Sequence, residues 1–246
     1  MQVLRDTIGL TVDGSLMRLY VARPRPEGRW PGILFYSDIY QLGDPIKRLA
    51  DRLAGYGYVV AAPEIFHRLE SIGSVIEPND IGRLRGNDNA SKTLLSDYNS
   101  DAAAVLTWLA ADSEVDQGCL GAIGFCIGGH LAFRAALRPE VKCTVCVYPT
   151  GLQDGKVGQG IADSLQRACQ IRGALLMIFG NLDPHVPSEA RETILTALAA
   201  LPDLRHRTLL YEANHTFMRD DGDRWDPECA DLAWAEMIQF LRQELG

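Results

Sequence analysis

Six consecutive residues, Gly124-Phe-Cys-Ile-Gly-Gly129, constrain this chain more than any others. The apolar run Cys119 to Phe125 ahead of the cysteine reads as a buried strand, and Gly128 to Arg138 behind it reads as a helix stopped by Pro139. A strand that passes into a helix through one residue turns too tightly for a Cβ on its neighbours, so glycine is required there. The pattern is G-x-S-x-G with cysteine in place of serine, and its effect is to hold the Cys126 sulfur exposed above a sheet. Cysteine is also a common small core residue; the strand and helix on either side are what lift the motif above that reading. The glycines do not make a nucleotide loop, because neither Gly-x-Gly-x-x-Gly nor a phosphate-binding Gly-Lys-Ser/Thr occurs.

Strands and helices alternate on both sides of this elbow. Thr7 to Val12 and Met17 to Ala22 read as strands joined at Asp13-Gly14, a strong hairpin signal. Gly32 to Ser37, Val59 to Pro63, Cys119 to Phe125, Cys143 to Pro149, Ala174 to Gly180 and Arg207 to Glu212 are further short apolar runs. Helical spacing occurs at Pro45 to Ala54, Asp97 to Ala110, Gly128 to Arg138, Ile161 to Cys169, Ser188 to Ala200 and Glu228 to Glu244. The pattern predicts an α/β fold, with a mostly parallel central sheet of about eight strands and helices on both faces. A chain of 246 residues is expected to form it as one domain over 1–246. The polar stretch His67 to Ser96 reads as a long irregular loop at the carboxyl edge of the sheet, where it would serve as a lid or pocket wall.

The formal charge of −8 is spread rather than blocked, which argues against a nucleic-acid surface. Met1 to Asp13 is charged at Arg5 and Asp6 and reads as neither a secretory signal nor an anchor, and no apolar run reaches the roughly 20 residues of a membrane span. Six unevenly spaced cysteines suggest thiols in a reducing compartment, so cytoplasm is expected. Cys143 and Cys146 form a C-x-x-C, but on a strand residues three apart face opposite sides, and no second pair completes a zinc site.

A cysteine nucleophile needs a base, and the base needs a third group to fix its tautomer. In α/β-hydrolases these follow in the order nucleophile, acid, histidine. Asp183 follows the strand Ala174 to Gly180, and His215 follows the strand that ends at Glu212. With Cys126, all three lie just past the carboxyl ends of expected parallel strands. His130 lies within the helix after the elbow, His206 starts a strand, His67 opens the expected lid, and His185 stands two residues after Asp183. Only His215 has both the chain order and a strand-end loop.

The chain resembles the dienelactone hydrolase family of α/β-hydrolases. Gly124-Phe-Cys126-Ile-Gly-Gly129, Gly180-Asn-Leu-Asp183-Pro-His-Val-Pro187, His215-Thr-Phe-Met-Arg219 and Tyr36-Ser-Asp38-Ile-Tyr40 carry the likeness, which runs from about Gly14 to the final helix. It implies the α/β-hydrolase fold and a Cys126, Asp183, His215 triad. It further implies an acid at Asp38 that pairs with the resting thiol, and an oxyanion hole from the backbone N–H groups of Ile39 and Ile127. Arg219 is expected to bind a substrate carboxylate, with Arg83 a second candidate.

The expected reaction is hydrolysis of a lactone or activated ester through a thioester acyl-enzyme, without metal or organic cofactor. The expected partner is a small-molecule substrate rather than nucleic acid or membrane, and the expected state is a monomer or small homo-oligomer. Two other readings stay open: the same site acting on other esters or thioesters, and a non-catalytic binding protein that retains the fold.

Overall fold

Eight strands are laid out along the chain: β1 (Val3–Val12), β2 (Ser15–Pro24), β3 (Trp30–Tyr36), β4 (Val59–Pro63), β5 (Val115–Phe125), β6 (Val141–Val147), β7 (Ala174–Gly180) and β8 (His206–Tyr211). A computed structural model that describes all of residues 1–246 joins them in one sheet, in the order β1-β2-β4-β3-β5-β6-β7-β8. The first two strands form the antiparallel edge, and β4, β3, β5, β6, β7 and β8 run parallel. The β1–β2 hairpin closes at Asp13 and Gly14, both at positive φ (49° and 80°), as a two-residue turn of this hand requires.

The chain forms six helices: α1 (Asp44–Ala54), α2 (Asp80–Lys92), α3 (Leu95–Ala111), α4 (Ile127–Ala135), α5 (Ser188–Ala199) and α6 (Pro227–Leu245). Strand β7 is buried along its whole length, and alternate residues enter separate cores. Leu175, Met177 and Phe179 pack with α3, α4 and α5 on one face, while Leu176 and Ile178 pack with α1 and α6 on the other. The same alternation divides Cys143 from Cys146, which lie in opposite cores as free thiols. No helix is long and apolar enough to cross a membrane.

Two elements differ from the sequence expectation. Ile161 to Cys169 is not a helix; it runs as turns and ends in a single 3₁₀ turn, Ala168–Gln170. Side chains of α4 hold this segment: Arg134 Nη1 donates to Asp163 Oδ1 at 3.0 Å, and the His130 ring meets the Ser164 hydroxyl at 2.7 Å. Conversely, the stretch 67–96 is not wholly irregular, since it contains the 13 residues of α2 and the start of α3.

The elbow after β5 tolerates no added side chain. A Cβ on Gly124 would lie 1.8 Å from the Gly128 carbonyl oxygen, a backbone atom with nowhere to move. Gly124→Ala is therefore expected to yield little soluble protein, or a variant destabilised by more than about 4 kcal/mol, the range of exceptional single substitutions. Yield and denaturant unfolding measure this, and a near-native midpoint would contradict the geometry.

Candidate active site

Cys126 stands between β5 and α4 at φ 59° and ψ −122°, a region that residues with a Cβ rarely occupy. Its backbone holds it there. The Cys126 N–H donates to the Val147 carbonyl at 3.1 Å, and its own carbonyl accepts from the N–H groups of Gly129 (3.0 Å) and Thr150 (3.2 Å). The residue retains 8 % of its exposure, and Sγ lies 3.8 Å from the Thr150 hydroxyl.

His215 and Asp183 come from the loops that follow β8 and β7. His215 Nδ1 lies 2.6 Å from Asp183 Oδ2. The other Asp183 oxygen accepts the N–H groups of His185 (2.7 Å) and Val186 (3.2 Å), so the carboxylate is bound on both sides. Burial alone would raise the Asp183 pKa; the His215 ring and these two amides outweigh it and hold it below the ordinary carboxylate value. Burial disfavours charge on His215 as well. The adjacent Cys126 sulfur and the Asp183 carboxylate reverse that effect and push the ring up to about 9. Tyr148 steadies the ring edge-on, with centroids 5.0 Å apart.

The remaining histidines are placed otherwise. Burial drives His130 down to about 3, and its ring meets the Thr150 carbonyl and the Ser164 hydroxyl. His67 is buried between Ser15 and Asp101, and His206 is exposed on β8. His185 lines the cavity with its ring centroid 4.7 Å from that of His215. Sequence reasoning weighed His185 only as a rival base and passed over Thr150 and Tyr148. The available signal for both was their position just past the end of a parallel strand.

Cys126 and His215 open into a cavity of about 570 Å³. Ile39 and Ile127 line it too. The Ile127 N–H opens α4, where helix donors have no intrahelical acceptor, and the Ile39 N–H makes no hydrogen bond within the chain. Helix α2 abuts Ile39 and contributes Arg83, Asn87, Ala90 and Ser91 to the cavity wall. This helix buries glycine instead of apolar side chains: Gly86 packs so closely on Ile39 that a Cβ would meet the Ile39 carbonyl oxygen at 2.6 Å.

Asp38 and Arg219 are paired with each other. Asp38 does not hydrogen-bond the thiol. Its Oδ1 accepts the Tyr40 N–H at 2.8 Å and its Oδ2 accepts from Arg219 Nη1 at 2.6 Å. Burial pushes this carboxyl up while Arg219 and the Tyr40 amide oppose that shift. Arg219, expected to bind a substrate carboxylate, lines the cavity and is paired with the chain's own acids. Its Nε lies 2.8 Å from Asp221 Oδ1, Asp38 holds the other edge, and the guanidinium sits 5.0 Å over the Tyr40 ring. A guanidinium this buried must be paired, and the chain's own carboxylates supply that pairing. Arg83 is at the cavity wall as expected, half exposed and 3.3 Å from Asp80.

Residues 17–245 match the model of the Dienelactone hydrolase family. A Saccharomyces cerevisiae protein named "Putative carboxymethylenebutenolidase" is 33% identical over 248 residues, covering 95% of this chain and 90% of its own length. The "Carboxymethylenebutenolidase" of a Pseudomonas species is 27% identical over 241 residues, covering 96% of this chain and 95% of its own. Among solved structures, the "putative dienelactone hydrolase" of Klebsiella pneumoniae superposes with a TM-score of 0.86 at 26% identity, over 98% of this chain and 99% of that one.

The Asp38–Arg219 pair gives a stability test. Arg219→Ala strands a buried carboxylate and is expected to destabilise the fold by about 3–5 kcal/mol. Removing both charges, as Asp38→Asn with Arg219→Met, should recover most of that loss. Urea unfolding of the three proteins checks this; an Arg219→Ala variant as stable as wild type that had lost only its preference for anionic esters would make substrate binding the role of Arg219.

Proposed function

Because the chain belongs to the dienelactone hydrolase family, a group of lactone and ester hydrolases, we propose that Cys126, His215 and Asp183 hydrolyse a lactone or activated ester through a thioester acyl-enzyme. The observation that carries this reading is the 2.6 Å contact of His215 with Asp183, beside a cavity that Cys126 also lines. The single sheet that bears all three loops supports one catalytic domain over 1–246, with α2 of the 67–96 segment as the pocket wall. Six free cysteines support a reducing, cytoplasmic setting.

In this reading the sulfur attacks the carbonyl carbon, and the oxygen that becomes negative takes hydrogen bonds from the Ile39 and Ile127 N–H groups. His215 then gives its proton to the departing oxygen and, in the second half, takes one from water as that water attacks the thioester. Asp183 acts by holding Nδ1, which leaves Nε2 for this traffic. A thiolate leaves a tetrahedral intermediate easily, so the site favours substrates whose own leaving group departs readily. Enol lactones and aryl esters meet that condition; amides do not. Arg219, paired with Asp38 and Asp221, and Arg83 both line the cavity and are the candidates for contact with an anionic substrate group.

Cys126→Ala is expected to abolish hydrolysis of p-nitrophenyl acetate while leaving the melting temperature near wild type. Rapid-quench mass spectrometry of wild type should find one acetyl group, on Cys126. Full turnover in the variant, or acylation elsewhere, would overturn the assignment. Alanine at Cys119, Cys143, Cys146, Cys169 or Cys229 should alter stability alone.

A second expectation concerns pH. The folded His215 pKa of about 9 exceeds the ordinary 6.5, so the protonated ring's contribution to stability is whole below about pH 6.5 and is lost as pH rises through about 9. The sulfur is the largest influence raising that value, so the ring should titrate lower in Cys126→Ala. NMR titration of the His215 ring measures both; identical values in the two proteins would show that the sulfur and the imidazole are not coupled.

A further inference from the structure

His185 occupies an unusual place among the buried and site-facing histidines. His67, His130 and His215 each hydrogen-bond the chain through their rings, whereas the His185 ring bonds no group of the chain and opens into the cavity. Its backbone is fixed: the His185 N–H donates to Asp183 Oδ1 at 2.7 Å. Its ring stands edge-on to His215, with centroids 4.7 Å apart and planes at 60°. One short loop thus orients the acid that holds His215 and presents a second imidazole beside it.

Four charged or titratable groups face this ring. Partial burial, His215, and the guanidinium groups of Arg224 and Arg83 lower its pKa, and only Asp183 raises it. Above the ordinary imidazole value of 6.5 the His185 ring is therefore neutral while His215, up to about 9, is protonated, and a neutral imidazole carries one N–H donor and one acceptor.

Resting on the Cys126 reading above, we propose that His185 is a further catalytic residue, which donates a hydrogen bond to the leaving-group oxygen during acylation. The bond changes balance as follows. The thiolate forms the C–S bond while the carbonyl π pair moves to oxygen. Collapse restores the carbonyl and breaks the ester C–O bond. The departing oxygen takes its proton from His215, and His185 keeps its own. A donor at that oxygen has leverage because the sulfur is itself a good leaving group: the intermediate returns to substrate unless departure of the oxygen is assisted.

The test is the dependence of kcat/KM, which reports acylation, on leaving group across aryl acetates from p-nitrophenyl to phenyl. Wild type should show a shallow slope against phenol pKa. His185→Phe retains the ring packing but not the donor, and should show a steeper slope, with phenyl acetate losing about tenfold more than p-nitrophenyl acetate. His185→Gln retains a donor and should lie between the two. Parallel lines for all three proteins would reduce His185 to packing and overturn the proposal, and should His185→Phe not fold, His185→Ala serves in the same comparison. The two readings fail separately: turnover by Cys126→Ala removes the cysteine mechanism, whereas an inactive Cys126→Ala with parallel His185 slopes removes only the role of His185.

Discussion

The site depends first on the backbone conformation of Cys126. Residues held in such sparsely populated regions cost about 1–3 kcal/mol and persist only where their surroundings over-determine them. Here three backbone hydrogen bonds, one donated to Val147 and two accepted from Gly129 and Thr150, tie the residue to the end of β6 and to the first turn of α4. The close approach of Gly124 to Gly128 leaves no space for relaxation. Because the sheet is parallel from β4 through β8, the loops after β3, β5, β7 and β8 emerge along one edge. Asp38, Cys126, Asp183 and His215 are the residues those four loops deliver.

Burial of charge sets the second layer of organisation. Asp183 with His215 and Asp38 with Arg219 are two close pairs in a region where an isolated charge would be strongly destabilising. Each acid is also held by backbone amides, and that determines where it can point. The Asp38 side chain is short, bonds the Tyr40 N–H of its own loop, and reaches Arg219 with the oxygen that remains. With both oxygens so engaged, the Asp38 carboxylate is a partner for the guanidinium. Asp183 is bound by the same device, yet its free oxygen meets an imidazole. A similar loop-bound carboxylate therefore pairs with a guanidinium in one place and with an imidazole in the other, according to what the neighbouring loop supplies.

The parts legible in the sequence are those that backbone sterics or two-sided burial impose. The elbow had to contain glycine, and β7 had to be apolar at every position because both of its faces are covered. Helix α2 was not legible, since Asp80–Lys92 has no apolar stripe and its buried positions include Gly82 and Gly86. A helix that packs by having no side chain leaves no hydrophobic period; its one local mark is Asn79, whose side chain caps the Gly82 N–H. Ile161 to Cys169 shows the converse error, because its apolar spacing was helical while side chains of α4 held it in turns. Arg219 illustrates the limit on reading function. Asp221 lies two residues away and was open to suspicion, but Asp38 is 181 residues distant and only the fold brings it there.

The glycine face of α2 also joins two properties of the site that sequence treats separately. The helix walls the cavity, so its outward residues bear on which substrate fits. It simultaneously rests on Ile39, whose N–H is one of the two donors assigned to the oxyanion. Glu70, buried beneath it, pairs with Arg85 and accepts from Asn89 at 2.6 Å, which fixes the helix at both of those turns. A shift of α2 to admit a larger substrate must therefore move the Ile39 backbone, the donor proposed for the oxyanion. Pocket shape and the placement of the Ile39 N–H are coupled through one contact, and a substitution that enlarges the pocket without moving that N–H has to leave Gly86 and the Glu70 anchor in place.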